Sequence, residues 1–149
     1  MRKFTFKTIA QVFVGVALVA AQQPVISGTG VNVTVAITGV RSDEGSLRTA
    51  LCTSEDSFPS DCKIRKEVKA SQGTVKVEFE GVAPGRYAFA VFHDENANGR
   101  VDMKNFIFPK EGLAFGKDAM GTRGIPKFEQ AAIEIEGESK SVVKMRYMR

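Results

Sequence analysis

Short segments in which apolar and polar side chains alternate dominate the chain after residue 30. The clearest is 75–80, in which three apolar residues alternate with Lys76, Glu78 and Glu80. A period of two places successive side chains on opposite faces of a β-strand, so each such segment is predicted to be a half-buried strand. Strands of this kind bury their apolar faces only when a second layer covers the sheet.

About seven such strands, separated by turn signals, are indicated along the chain. Segment 87–93 is apolar on both faces, which is typical of a central strand covered on both sides. No segment shows the apolar periodicity that is typical of an amphipathic helix. We therefore predict an all-β fold, an antiparallel β-sandwich of the immunoglobulin or transthyretin type, with a small closed barrel as the alternative. The predicted strands are 31–37, 47–51, 65–70, 75–80, 87–93, 133–136 and 143–147.

One long segment, 106–131, interrupts this pattern. It contains four glycines and two prolines and shows no strand alternation, so we expect an irregular loop. It also carries many apolar side chains, including Phe115 and Phe128, which would not be left in water. A loop of this length in a small domain is usually functional or disordered. We expect it to pack on the sandwich, either as a structural cover or as one wall of a binding site.

The N-terminus has the pattern of a secretory signal peptide. Arg2, Lys3 and Lys7 precede an almost entirely apolar stretch, 8–21, and small residues lead up to Ala21. The apolar stretch is shorter than the ~20 residues that a membrane-spanning helix needs. We predict cleavage near Ala21. An uncleaved anchor or a buried first helix are the alternatives.

Removal of the signal peptide changes how the net charge is interpreted. The whole chain has 21 Lys+Arg against 17 Asp+Glu, a formal charge of +4, but three of the cations belong to the signal. The remaining 18 cations nearly balance 17 acids, so we expect no nucleic-acid partner. We predict a periplasmic or secreted protein with no membrane span, a flexible segment 22–30 and a single β-sandwich domain over 31–149. Its partner would be a small ligand or an envelope protein.

The two cysteines, Cys52 and Cys62, enclose nine residues rich in Ser, Asp and Glu. In an oxidising compartment such a close pair is predicted to form a disulfide bond. The alternative is two unpaired thiols. A redox function is not indicated, because the Cys-x-x-Cys spacing is absent.

A loop rich in oxygen-bearing side chains, 94–102, directly follows the predicted central strand. Oxygen side chains at alternate positions, with Gly99 at the sharp turn, form the first half of the EF-hand calcium-binding signature. The second half is missing, because Asn105 stands where an EF-hand has its bidentate Glu. We therefore predict a calcium loop on a β-scaffold, not an EF-hand. The predicted ligands are the side chains of Asp94, Asn96, Asn98 and Asp102 and the carbonyl of Arg100.

Two features of this loop leave other interpretations open. Asp, Asn and Gly also form ordinary tight turns, through side-chain to backbone hydrogen bonds. Only two carboxylates, Asp94 and Asp102, are clear ligands, which predicts weak affinity of about 10⁻⁴–10⁻³ M. Glu111 or Asp118 of the long segment is a candidate to complete the coordination shell.

His93, the only histidine, precedes the loop and lies beside Asp94. It is a candidate general base, although no serine or cysteine motif accompanies it. We expect it to be a packed residue at the end of a strand. The sequence thus favours a non-catalytic binding or cell-envelope accessory domain. A hydrolase-like enzyme using His93 under segment 106–131, and a purely structural domain without an ion, are the alternatives.

Several short motifs resemble those of one family of bacterial exported proteins. The residues are Phe58-Pro59, Pro84-Gly85-Arg86-Tyr87-Ala88, His93-Asp94-Glu95-Asn96-Ala97-Asn98-Gly99 with Asp102, Pro109-Lys110-Glu111-Gly112 and Phe115-Gly116. In these motifs the chain resembles the DUF2141 family. The resemblance implies a small single β-domain behind a signal peptide, and it carries no settled activity.

Overall fold

The computed structural model describes residues 30–104, 108–120 and 124–148. The predicted signal peptide, 1–21, and all of the predicted flexible segment except Gly30 lie outside them. Within the described residues the strands are β1 (Val31–Val40), β2 (Ser46–Cys52), β3 (Ile64–Lys69), β4 (Gly73–Val82), β5 (Gly85–Asp94), β6 (Met103–Lys104), β7 (Phe108–Pro109), β8 (Leu113–Phe115), β9 (Ala132–Ile135) and β10 (Ser139–Lys144). The helical segments are a 3₁₀ turn, Gly116–Asp118, and the four-residue helix α1 (Phe128–Ala131).

The strands form two main sheets and confirm the predicted all-β, sandwich-like class. One sheet has the order β10-β1-β4, and the other has β3-β2-β5-β8 with β9 also paired to β5. One pair departs from the antiparallel expectation, because β10 runs parallel to β1. The reason is topological: β9 belongs to the second sheet, and the link 136–138 carries the chain across to the first sheet, where β10 enters beside β1.

The core lies between the inner faces of the two sheets. The period-two pattern predicted these faces, and the inward residues of β1, β2, β4 and β5 are nearly inaccessible to solvent. Complete burial of one such aliphatic or aromatic side chain contributes about 1.5–3 kcal/mol, so this layer is the main stabilising element. Its largest members include Ile37, Leu47, Leu51, Val77, Phe79, Phe89 and Val91.

The long segment 106–131 is more regular than its sequence suggests. It contributes β8, which pairs with β5, and buries Leu113 and Phe115. A three-residue strand with every side chain buried shows no alternation, which is why the pattern did not reveal it. Phe115 and Phe128 both make edge-to-face contacts with Phe58, at centroid distances of 6.0 and 6.3 Å. The described part of the segment therefore adds a strand to the second sheet and packs aromatic side chains on its outer face.

The predicted disulfide is present. Cys52, the last residue of β2, is bonded to Cys62, and their Cα atoms are 4.6 Å apart. Closure of so short a loop contributes about 2–3 kcal/mol in the chain-entropy description. Among the described residues, no helix combines the length and the apolar character needed to cross a membrane.

Candidate functional site: the acidic loop and the adjacent groove

Asp94 anchors the acidic loop at the end of β5. Its carboxylate is completely buried and accepts hydrogen bonds from the backbone N–H groups of Asn98, at 3.0 Å, and Gly99, at 2.8 Å. It also accepts a bond from Arg48 Nε at 3.0 Å. Gly99 has φ 79°, a backbone region that disfavours residues with a Cβ. The Asp94 side chain therefore closes the loop by accepting hydrogen bonds from the loop's own backbone.

Three of the predicted calcium ligands meet at one point. The Nδ2 atoms of Asn96 and Asn98 donate to Asp102 Oδ2, at 2.6 and 3.0 Å. The amide oxygens of the same two residues accept backbone N–H groups in side-chain turns, from Asn98 and Arg100. Asp94 does not join this point, because its two oxygens are taken by the backbone and Arg48.

Glu111 holds the two ends of the loop together. Its Oε1 accepts the backbone N–H of Glu95 at 3.2 Å, and its Oε2 accepts that of Asp102 at 3.0 Å. Burial raises the pKa of the Glu111 carboxyl, and the nearby charges of Asp102 and Asp94 raise it further. Over residues 30–104, 108–120 and 124–148, no group of three or more His, Cys, Asp or Glu side chains is arranged to hold a metal ion.

His93 is fully buried, and both ring nitrogens are engaged. Nε2 lies 2.8 Å from the Glu44 carbonyl, and Nδ1 lies 2.8 Å from the Tyr147 hydroxyl. Because a carbonyl only accepts, we assign the proton to Nε2, and Nδ1 then accepts from Tyr147. The Tyr147 oxygen in turn accepts the N–H of Arg41 at 3.1 Å. This network gives His93 no free nitrogen facing solvent, so the geometry does not favour the hydrolase alternative.

An ion pair that the sequence did not reveal holds the start of the loop. Arg41 Nε donates to Glu95 Oε1 at 2.8 Å, and a second guanidinium nitrogen contacts Oε2. These bonds lower the pKa of the Glu95 carboxyl, to which Ser42 also donates. Arg41 also lies over the Tyr147 ring, 4.3 Å from its centroid. Arg41 and Glu95 are 54 residues apart, so no local pattern could have paired them.

A groove of about 800 Å³ lies on the outer face of the second sheet, beside the acidic loop. Its floor includes Ala50, Ala90 and Phe92, and the β2–β5 register places Ala50 opposite Ala90. Two alanines side by side leave a trough, because their methyl groups do not fill the space above the strands. The lining also includes Gly99 and Arg100, so the second half of the acidic loop forms part of the groove.

The groove is lined by exposed apolar side chains and by more cations than acids. Val101, Met103 and Ile125 line it and are exposed by 36%, 41% and 53%. The charged lining residues are four cations and one acid: Arg48, Arg65, Lys66, Arg100 and Glu67. The Lys66 ammonium donates to the Glu78 carbonyl on β4, so it already has a hydrogen-bond partner within the protein. Sequence reasoning did not find this groove, and it expected segment 106–131 to be either a structural cover or one wall of a binding site.

A comparison with models of known protein families identified a family for this chain. Residues 35–143 match the family described as an uncharacterized protein conserved in bacteria, DUF2141. The chain belongs to the DUF2141 family. The match covers β2 to β9 and most of β1 and β10, with the acidic loop and the groove. Searches among curated proteins and solved structures gave no match.

Proposed function

We propose that this protein is a non-catalytic binding domain of the bacterial cell envelope, and that the groove is its ligand site. The observation that carries the proposal is the concentration of exposed apolar side chains there. Five large apolar side chains are exposed among the described residues, and Val101, Met103 and Ile125 line the groove. Exposed apolar clusters mark interaction sites, and the groove volume lies in the range of about 300–1,000 Å³ that is usual for small-molecule sites.

Two features support a location outside the cytoplasm. The first 21 residues have the charge and hydropathy pattern of a secretory signal. The Cys52–Cys62 disulfide is the expected state in an oxidising compartment and uncommon in the cytoplasm.

A neutral apolar fluorophore tests the groove. N-phenyl-1-naphthylamine should gain fluorescence with the purified, disulfide-bonded protein, and Ala50→Leu should abolish the gain by filling the trough. Ala36→Leu is the matched control, because Ala36 lies on the outer face of the other sheet, between Lys76 and Val142. Equal fluorescence with Ala50→Leu and wild type would refute the groove as the ligand site. A lack of any gain with wild type would favour a purely structural domain.

Calcium binding by loop 94–102 is a second proposal, and the meeting of Asn96, Asn98 and Asp102 favours it. Both amide groups now direct nitrogen toward the Asp102 carboxylate. Rotation of each amide about its terminal bond would present oxygen instead, the atom that calcium requires. The rotation would break the two hydrogen bonds to Asp102 and the two bonds that the amide oxygens accept from backbone N–H groups, and coordination to the ion would have to offset all four. The Arg100 carbonyl would add a ligand.

Thermal melting in calcium tests this second proposal. At about 10 mM calcium, a site of the weak class should raise the Tm by about 5 °C. Asp102→Ala should lose the rise, and magnesium should produce less of it. An unchanged Tm for wild type would mean that the loop is a plain turn.

A further inference from the structure

We infer that the groove binds a monomeric amphiphile with a single anionic head group and an apolar body, of the long-chain carboxylate type. This inference rests on the proposed function and adds the chemical class of the ligand. The apolar floor and walls indicate the apolar body of the ligand. The charges at the rim indicate its anionic head group.

Most of the charged side chains that line the groove are cations, and three of these cations are arginines. Arg48, Arg65 and Arg100 line the groove against the single acid Glu67. Register places Arg65 beside Ala50 on the same face of the sheet, and Arg48 beside Phe92. A guanidinium offers a planar pair of donors that matches a carboxylate, so arginines beside an apolar floor favour an anionic head group over a neutral or cationic one.

The three arginines are held in different ways. The guanidinium of Arg48 is held by Asp94 and lies 3.4 Å from a Glu67 oxygen. Arg65 is held by the carbonyls of Ser60 and Cys62, and a guanidinium nitrogen also donates to the exposed Asp61 carboxylate at 3.2 Å. The Arg100 side chain is 79% exposed, and its nearest carboxylate oxygen, on Asp102, is 3.9 Å away. Two prepositioned cations and one exposed cation suit a head group that enters from solvent, because Arg48 and Arg65 need little further ordering on binding.

The shape of the groove favours a single molecule over a bilayer surface. Pro59 and Ser60 of the disulfide loop line the groove together with Val101 and Met103 of the segment after the acidic loop. The floor is the sheet itself, so the apolar residues line a concavity. An acyl chain lying in that concavity would cover apolar side chains that are now exposed, whereas a flat membrane would reach only its rim.

Displacement of the bound fluorophore by three probes with the same chain tests the inference. Dodecanoate, dodecanol and dodecyltrimethylammonium share an apolar chain and differ in head-group charge. Dodecanoate should displace N-phenyl-1-naphthylamine at a concentration about tenfold lower than dodecanol, with the cationic probe weakest. The double variant Arg65→Gln with Arg100→Gln should remove the advantage of dodecanoate over dodecanol. The matched control, Lys76→Gln with Lys140→Gln, removes two exposed cations from the other sheet and should retain it.

The outcomes separate the two proposals. Equal potency of dodecanoate and dodecanol, with both lost in Ala50→Leu, would overturn the anionic class and leave the groove intact. Failure of the fluorophore to distinguish Ala50→Leu from Ala36→Leu would refute the groove itself. Cosedimentation with phosphatidylglycerol vesicles, without displacement by free dodecanoate, would overturn the inference in favour of a membrane surface. Melting curves of all variants show whether a loss of binding reflects a loss of folding.

Discussion

Arg48 Nε lies 3.0 Å from the fully buried Oδ2 of Asp94, and this contact joins the groove to the acidic loop. Arg48 belongs to β2 and lines the groove, whereas Asp94 ends β5 and caps the loop backbone. The side chain of Arg48 also packs against Gly99, since a Cβ there would lie 3.6 Å from the guanidinium. The shape of the acidic loop and the shape of the groove therefore both depend on the Arg48–Asp94 pair.

Loss of the Asp94 carboxylate should destabilise the whole protein. Asp94→Ala removes the acceptor for two backbone N–H groups and the partner of Arg48, and we expect a loss of about 3 kcal/mol in the free energy of unfolding. Urea denaturation measures this change. Glu80→Ala, on the exposed face of β4, is the control and should change stability by less than about 0.5 kcal/mol. A wild-type stability for Asp94→Ala would show that the loop closes without this cap.

The role of His93 as a packed, hydrogen-bonded residue can be separated from a catalytic role by stability measurements. Tyr147→Phe removes one bond to His93 and should cost about 1 kcal/mol, and His93→Gln should cost about 2–3 kcal/mol because a buried group loses both partners. The double variant should lose less than the sum of the two, since the residues share a bond. If His93→Gln keeps wild-type stability, the histidine does not support the core, and the result would favour a catalytic role.

The Arg41–Glu95 pair should make stability depend on pH at the acid end. The pKa of Glu95 is lowered in the folded protein, mainly by hydrogen bonding to Arg41. The stability from this group is present above its unfolded pKa of about 4.3, and it is lost as the pH falls through the lower folded value. Unfolding free energies between pH 6 and about pH 3 should therefore fall less steeply for Glu95→Gln than for wild type. Parallel curves would exclude the pair as a source of acid sensitivity.

Glu111 should show the opposite dependence. Burial raises its pKa in the folded state, so its stabilising contribution is complete below the unfolded pKa and is lost as the pH rises through the folded value. Compared with Glu111→Gln, wild type should gain stability as the pH is lowered from 7 toward 5. The same denaturation series measures this, and a wild-type advantage that grew with rising pH would contradict it.

Much of the fold could be predicted from local patterns in the sequence. The alternation at 75–80 predicted β4, and the two apolar faces of 87–93 predicted a covered central strand, because the period of a strand is set by its own backbone. The close spacing of Cys52 and Cys62 predicted their bond for a similar reason, since a short loop keeps two thiols near each other. The acidic loop was also found from its spacing, although its calcium ligation stays a prediction.

Other features depended on contacts between distant residues. The parallel pairing of β10 with β1 and the strand β8 left no periodic signal. Glu111 was expected as a further calcium ligand, whereas the structure shows that it bonds to two backbone N–H groups of the loop. Side-chain type alone does not say which donor a carboxylate will meet.

Amino-acid order by itself determined the strand periodicity, the cysteine pair, the turn-forming loop and the export pattern at the N-terminus, because each depends on neighbours along the chain. Only the tertiary structure decided that Ala50 lies beside Ala90, that Arg48 reaches Asp94 and that both ring nitrogens of His93 are occupied. These relationships arise from the register between strands. A shift of one residue would turn Ala50 into the core and remove the floor of the groove.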